Sequence, residues 1–310
     1  MADLVLHIDG TEHAALTVDR FALRERLSEP FLLSIVAGST HPDLDLEDLI
    51  LRPASFSIDA GGVHARRDYS GICAAVEQLS AEPAGLSLYR FRLMPRLGLL
   101  GLRRDHRIYQ QLTVPAILAQ MLAAYVIPAA FHLDQGAFPV LDFKVQYGET
   151  DLAFFTRLCE EAGITFAVRD DEEGSIVVLS DAPTEAAPRE GSPLPFLDHP
   201  TGGGDQEHVT RVRLAREARP LAVALRDFDF RNPALPLDGH AMEDGDPSPL
   251  LEHFHFDPGA FRVVSAAPTF TPIADLLGTT RHQPPAGERR AAHLLAGANA
   301  GRGRLQRDQL

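Results

Sequence analysis

Tryptophan is absent from the 310 residues, and cysteine occurs only twice, at Cys73 and Cys159. Two thiols so far apart in the chain exclude a disulfide framework and a CxxC metal pair, and both are expected to be reduced and buried. No uncharged apolar run reaches the roughly 18 residues that a bilayer crossing needs. The opening "MADLVLHIDG" places no positively charged leader before an apolar stretch, which predicts a soluble chain that starts out in the cytoplasm. Positive charge is scarce, with 29 Lys and Arg against 43 Asp and Glu and a net charge of −14. No basic stripe stands out, so sequence-independent nucleic-acid binding is excluded. GxSxG, HExxH and paired CxxC motifs are all missing. The glycine run "TGGGD" at 201–205 lacks the Lys-Ser or Lys-Thr of a phosphate loop and reads as a connector.

Apolar residues make up 45% of the chain, and its length suits about two domains, each with its own core. The N-terminal half is mostly strand. "LVLHIDG", "LTVDRFALRERLSEPFLLSIVAG", "ASFSIDAGGVHARRDYSGICAAVEQL" and "LSLYRFRLMPRL" are short runs broken by Gly, Pro and Asp at roughly ten-residue spacing, which predicts an antiparallel barrel or sandwich. In "TVPAILAQMLAAY", Thr113 caps a helix, Pro115 fits its first turn, and Val114, Ile117, Leu118, Met121, Leu122 and Tyr125 line one face. From 184 to 206 a Pro-, Gly- and acid-rich connector replaces the apolar periodicity, and strand signal returns in "HVTRVRLA" and "PLAVALRDFDF".

Three groups of residues invite a chemical reading. In "QYGETDLAFFTRLCEEAGITFAVRDD", Glu149, Asp151, Cys159, Glu160 and Glu161 could form a catalytic cluster. Helical geometry argues otherwise. Thr150 caps a helix, Asp151 complements its dipole, and Leu152, Phe155, Leu158, Cys159 and Ala162 make one apolar stripe. Glu160 and Glu161 then fall on the solvated side, Gly163 ends the helix, and "ITFAVRDDEEGSIVVL" reads as a hairpin. Asp227 and Asp229 share a strand face, as a glycosidase pair might, but alternating acids of this kind are expected to face solvent while Phe228 and Phe230 face the core. His253 and His255, with Glu252 and Asp257 nearby, have a spacing compatible with metal ligands, a weak signal from two histidines. A hydrolase or a metal-dependent binding module is thus the alternative reading. No catalytic, cofactor-binding or metal-ligating residue is assigned, and no cofactor is expected.

The order of several blocks carries more weight than any single motif. "RERLSEPFLLSIVA", "YRFRLMPRLGLLGLRRDHRIYQQLTVPAILAQML", "VQYGETDLAFFTRLCEEAGITF", "LRDFDFRNP" and "HFHFDPGAF" together resemble the N-terminal hub module of VgrG, the spike proteins of type VI secretion systems, and the related hubs of contractile phage tails. The resemblance covers residues 1 to about 262 and is most specific from 104 to 166. It implies a mainly β fold with α+β insertions: two similar β-barrel domains plus packing helices, phage tail hub-like. Residues 1–96 would be the first β-barrel, completed by strands around 207–232, and 97–183 a second barrel and helix region. The connector is 184–206, and 207–262 holds return strands and a smaller α+β region. Residues 263–310 are unassigned and lead towards a spike domain.

The function so implied is mechanical and not enzymatic. It is that of a homotrimeric hub that docks onto an Hcp-type tube hexamer, meets baseplate proteins and carries the spike tip or effector proteins. It would assemble in the cytoplasm and be ejected by the contractile apparatus, with no nucleic-acid partner and no membrane span. Two features depart from the family. The stretch "PRLGLLGLRRDHRIYQ" lacks the usual Trp, so Leu residues must fill that core, and residues 1–310 contain neither an oligonucleotide-binding-type barrel nor a Val- and Gly-rich β-helix repeat.

Overall fold

The computed structural model describes residues 3–183 apart from breaks at 12–13, 60–65, 83–84 and 172–173. Beyond these it describes residues 196, 209 and 212, then 222–242 with breaks at 229 and 235, and 252–256. The first six strands are β1 (Asp3–Ile8), β2 (Thr17–Arg24), β3 (Leu32–Ser39), β4 (Pro53–Asp59), β5 (Arg67–Ser80) and β6 (Ser87–Met94). They form one antiparallel sheet in the order β1-β4-β5-β6-β3-β2. The edge strands β1 and β2 approach within 8 Å between Cα atoms, so the sheet curls around its own core. Alternation along the strands builds that core: Leu33 and Ile35 of β3 face Tyr89, Phe91 and Leu93 of β6, all essentially inaccessible to solvent. The Tyr89 hydroxyl donates to His41 O at 2.9 Å and lies 3.1 Å from Gln78 Nε2, so the one polar atom of this large ring is satisfied. Gly71 is required by close approach. A Cβ there would lie 2.1 Å from Met94 O.

The chain then builds a second core. A 3₁₀ helix (Arg96–Leu102) is followed by β7 (Arg104–Leu112), α1 (Val114–Ala124), β8 (Ala129–His132), β9 (Leu141–Thr150), α2 (Asp151–Ala162), β10 (Thr165–Asp171) and β11 (Gly174–Ser180). Both helices start where the capping residues place them: Thr113 Oγ1 accepts from Ala116 N at 3.3 Å, and Thr150 Oγ1 from Ala153 N at 3.1 Å. Gly163 ends α2 at φ 68°, in the left-handed region. Leu97 and Leu100 are buried and belong to one cluster with Ile117, Phe154, Phe155 and Leu158. β10 and β11 form the expected hairpin, and β8 joins β11 in parallel. The two cores are stitched together. Ser70 N donates to the Asp170 carboxylate at 2.9 Å, Ser28 N donates to Phe166 O at 2.8 Å, and Val168 packs against both cores.

The third group of strands forms a sheet of its own. β12 (Ala222–Asp227), β13 (Leu237–Met242) and β14 (Glu252–Phe256) form their own sheet in the order β13-β12-β14, with β14 parallel to β12. Both hydrogen-bonding edges of β12, the described strand within 207–232, are occupied, one by β13 and the other by β14. The described residues contain one curled six-stranded sheet, and the remaining strands lie in sheets of two or three.

Both thiols are buried and unpaired, as expected. Burial pushes the Cys73 thiol up to about 11 and Cys159 higher still. At pH 8 the native protein should show no fast-reacting thiol towards an aromatic disulfide reagent, and two in denaturant. A thiol that titrates rapidly in the native protein would contradict this packing.

Candidate functional site

Polar and exposed apolar groups gather on the two faces of the ribbon formed by β7 and β9. Side chains alternate across a strand, and the pairing His106 with Tyr147, Ile108 with Val145 and Gln110 with Phe143 puts each pair on a common face. The outer face carries Arg104, His106, Ile108, Phe143 and Tyr147, with Ile108 67%, Phe143 50% and Tyr147 80% exposed. The His106 ring packs edge-on against Tyr147, with centroids 4.9 Å apart. Gly148, at φ 60°, takes up the register shift between Asp105 and His106 and sits against the His106 ring.

The inner face rests on the helices through polar groups. Asp151, the first residue of α2, is fully buried. It accepts from Tyr125 O–H at 2.7 Å and from Gln146 Nε2 at 2.7 Å, and Arg107 Nη1 lies 3.9 Å away. Gln146 Nε2 also donates to Glu149 O at 3.1 Å, which fixes the amide orientation. Burial, then the neighbouring Asp151 carboxylate, push the Tyr125 phenol upward. Asp105 accepts from His106 N–H and from Arg107 Nε at 2.8 Å, and these donors, the backbone one foremost, hold its carboxyl below the usual range.

A second network lies alongside. Arg157 Nη2 donates to Glu149 Oε1 at 2.6 Å and its Nε to Glu149 Oε2 at 3.2 Å, a bidentate pair. Arg157 Nη1 donates to Glu161 Oε1 at 2.9 Å, and Lys144 pairs with the same carboxylate. The Arg157 guanidinium also stands 5.1 Å from the Phe154 ring centroid. Glu161 therefore differs from its expected place on the solvated side: Arg157, one turn back, and Lys144 of β9 draw it onto the ribbon, and only Glu160 points to solvent.

These placements decide what the sequence's acidic and histidine groups can do. Each buried or half-buried carboxylate of the 149–161 cluster is matched to a cation or a neutral donor, and Cys159 faces the core, so the cluster offers no converging acid–base pair. Phe228 and Phe230, expected in the core, are 51% and 64% exposed. β12 stops at Asp227, so the residues beyond it are no longer held to strand alternation; Arg231 stands 5.6 Å from the Phe230 ring and pairs with Asp142 at 2.9 Å. Asp229, Asp257, the run 201–205 and residues 263–310 lie outside the described residues. Glu252 and His253 of β14 are exposed, and no group of three His, Cys, Asp or Glu among the described residues could hold a metal ion. The Asp151, Tyr125 and Gln146 network was not foreseen, since nothing in the spacing links a tyrosine at the end of α1 to the first turn of α2.

Known proteins place this arrangement. The chain is 34% identical over 262 residues to the type VI secretion system spike proteins VgrG5 and VgrG4b of Pseudomonas aeruginosa, matches that cover 83% of this chain and 32% and 31% of theirs. It thus spans about a third of the length of the curated relatives it matches. An Escherichia coli component of the type VI secretion system, described as structurally similar to the bacteriophage T4 tail proteins gp27 and gp5, superposes with a TM-score of 0.55 at 28% identity, over 62% of this chain and 52% of that one. A tail protein from Neisseria meningitidis shares the fold, with a TM-score of 0.51 at 13% identity over 83% of this chain and 71% of that one. The profile described as phage tail baseplate hub (GPD) matches residues 24–309, a range that takes in the C-terminal segment the sequence left unassigned. With that profile matching nearly its whole length, the chain belongs to the phage tail baseplate hub (GPD) family.

Proposed function

We propose that this chain is the structural hub at the base of the spike in a contractile injection apparatus of the type VI kind. In this role it forms a homotrimer, docks onto the end of an Hcp-type tube hexamer, contacts the baseplate and carries the spike tip or effector proteins. The observation that carries this reading is the identity to VgrG spike proteins across 83% of the chain. The carboxylates of Glu149, Asp151 and Glu161 support a mechanical role, because each is used up in holding strand to helix. Among the described residues no helix is long and apolar enough to cross a membrane. The protein would assemble in the cytoplasm and leave with the ejected tube. Three chains can match a six-fold ring if each presents two similar barrels. The curled β1–β6 sheet would be one such unit, and the 97–183 region the second.

The test is binding to tube rings assembled from the same apparatus. Three 33.8 kDa chains, about 101 kDa in light scattering, should bind one ring end. A closed dimer, or no binding at tens of micromolar, counts against the hub.

A further inference from the structure

The outer face of the β7–β9 ribbon has chemistry unlike the rest of the chain. Ile108, Phe143 and Tyr147 stand together in solvent beside the Arg104 guanidinium and the His106 ring, and the paired outward positions from Arg104 to Gln110 bring no carboxylate to this face. The chain as a whole carries −14. Arg104 has no ion-pair partner among the described residues, in contrast to its neighbours Arg103 and Arg107, which both hold Asp105. Among the described residues β7 and β9 pair with each other and with no further strand. Exposed apolar side chains on an open ribbon of this kind mark a contact surface.

A complementary surface exists on the same chain. The segment 43–51 projects Asp43, Asp45 and Glu47 into solvent next to exposed Ile50 and Leu51, while Asp48 pairs with Arg52. It is pre-formed. Asp45 Oδ1 accepts from Glu47 N and Asp48 N at 3.1 Å each, Leu44 and Leu49 are buried beneath it, and Leu51 N donates to Cys73 O at 2.8 Å. Leu51 holds φ 66°, a conformation an L-residue adopts at a cost, yet its side chain points outward. One patch is acidic and apolar, the other sets the single guanidinium of Arg104 among apolar side chains, and they sit on different elements. Such a pair joins copies head to tail, and head-to-tail contacts close into a ring when the rotation allows.

We infer that the outer face of the β7–β9 ribbon docks onto the 43–51 segment of a second copy of this chain. The inference rests on the hub reading for the number of copies, but the contact itself does not depend on a tube. Complementary charge sets the register of such a seam, and Ile108, Phe143 and Tyr147 supply the area that leaves water.

Two differently tagged full-length chains test it, one carrying Tyr147→Cys and the other Glu47→Cys. The native thiols are buried, so the introduced ones dominate mild oxidation. A mixed-tag disulfide is expected at least tenfold above either same-tag product, and equal or absent mixed product overturns the seam. Arg104→Glu should weaken self-association at least tenfold, and combining it with Glu47→Arg should restore it. Should Arg104→Glu abolish tube-ring binding and leave self-association intact, the face belongs to the tube and the inference fails. If assembly and ring binding both persist with no mixed product, the hub reading stands and only the seam is wrong.

Discussion

Asp151→Ala is expected to lower the stability of the fold by about 3–5 kcal/mol, the range for removing one partner from a buried, hydrogen-bonded charge network. The carboxylate is 1% exposed and closes three elements together. Tyr125 reaches it from the end of α1, Gln146 from β9, and Arg107 from β7. Removing it leaves the Tyr125 hydroxyl and one Gln146 N–H without their acceptor. Gln146 is already committed on its nitrogen, because its Oε1 is buried with no donor among the described residues. Asp151→Asn keeps one acceptor oxygen and should cost less, about 1–3 kcal/mol. Urea unfolding of the two variants separates the cases. An alanine variant within 1 kcal/mol of the parent would mean that the network contributes little and that the helix cap alone fixes this corner.

What the sequence disclosed follows from how local each signal is. Thr113, Thr150 and Gly163 mark helix ends through bonds made within four residues, and all three were legible. So was the hairpin after Gly163, because alternation on both sides of "DDEEG" defines it without reference to anything distant. Asp151 was legible only in its local role at the helix N-terminus. Its partner Tyr125 lies 26 residues away, a relation no periodicity records. Glu161 was misplaced for the same reason: a helical wheel puts it on the solvated side, and only the crossing of β9 over α2 brings Lys144 to it. Phe228 and Phe230 continue an alternating pattern past the last residue of β12, and a pattern without a strand does not define a buried face.

Between residues 104 and 161, two strands must lie across a helix whose first turn carries a buried acid, so the cations Arg107, Lys144 and Arg157 are needed on the inner side. Matching those charges inward leaves the outer face free to differ in chemistry. Ile108, Phe143 and Tyr147 are thereby presented on a platform whose geometry is fixed from below.

The contrast between two neighbours on α2 tests which way that platform is held. Phe155 is fully buried, its ring 5.2 Å from Phe166 at 72°, and it joins the helix to the hairpin that contacts the first sheet. Phe155→Ala deletes the ring and leaves a cavity between close-packed elements, at a cost of about 3–5 kcal/mol. Glu160, one and a half turns further on, is exposed and makes no ion pair among the described residues. Glu160→Ala should stay within about 0.5 kcal/mol of the parent. Because the fold has two cores joined through Phe166 and Val168, the Phe155 variant should also broaden the transition, with the second core melting first. Thermal melts of both variants, followed by circular dichroism, give the answer. A glutamate variant that unfolds earlier than the phenylalanine variant reverses the assignment of the helix faces, since no relaxation of a surface position costs more than an empty ring-sized space in the core.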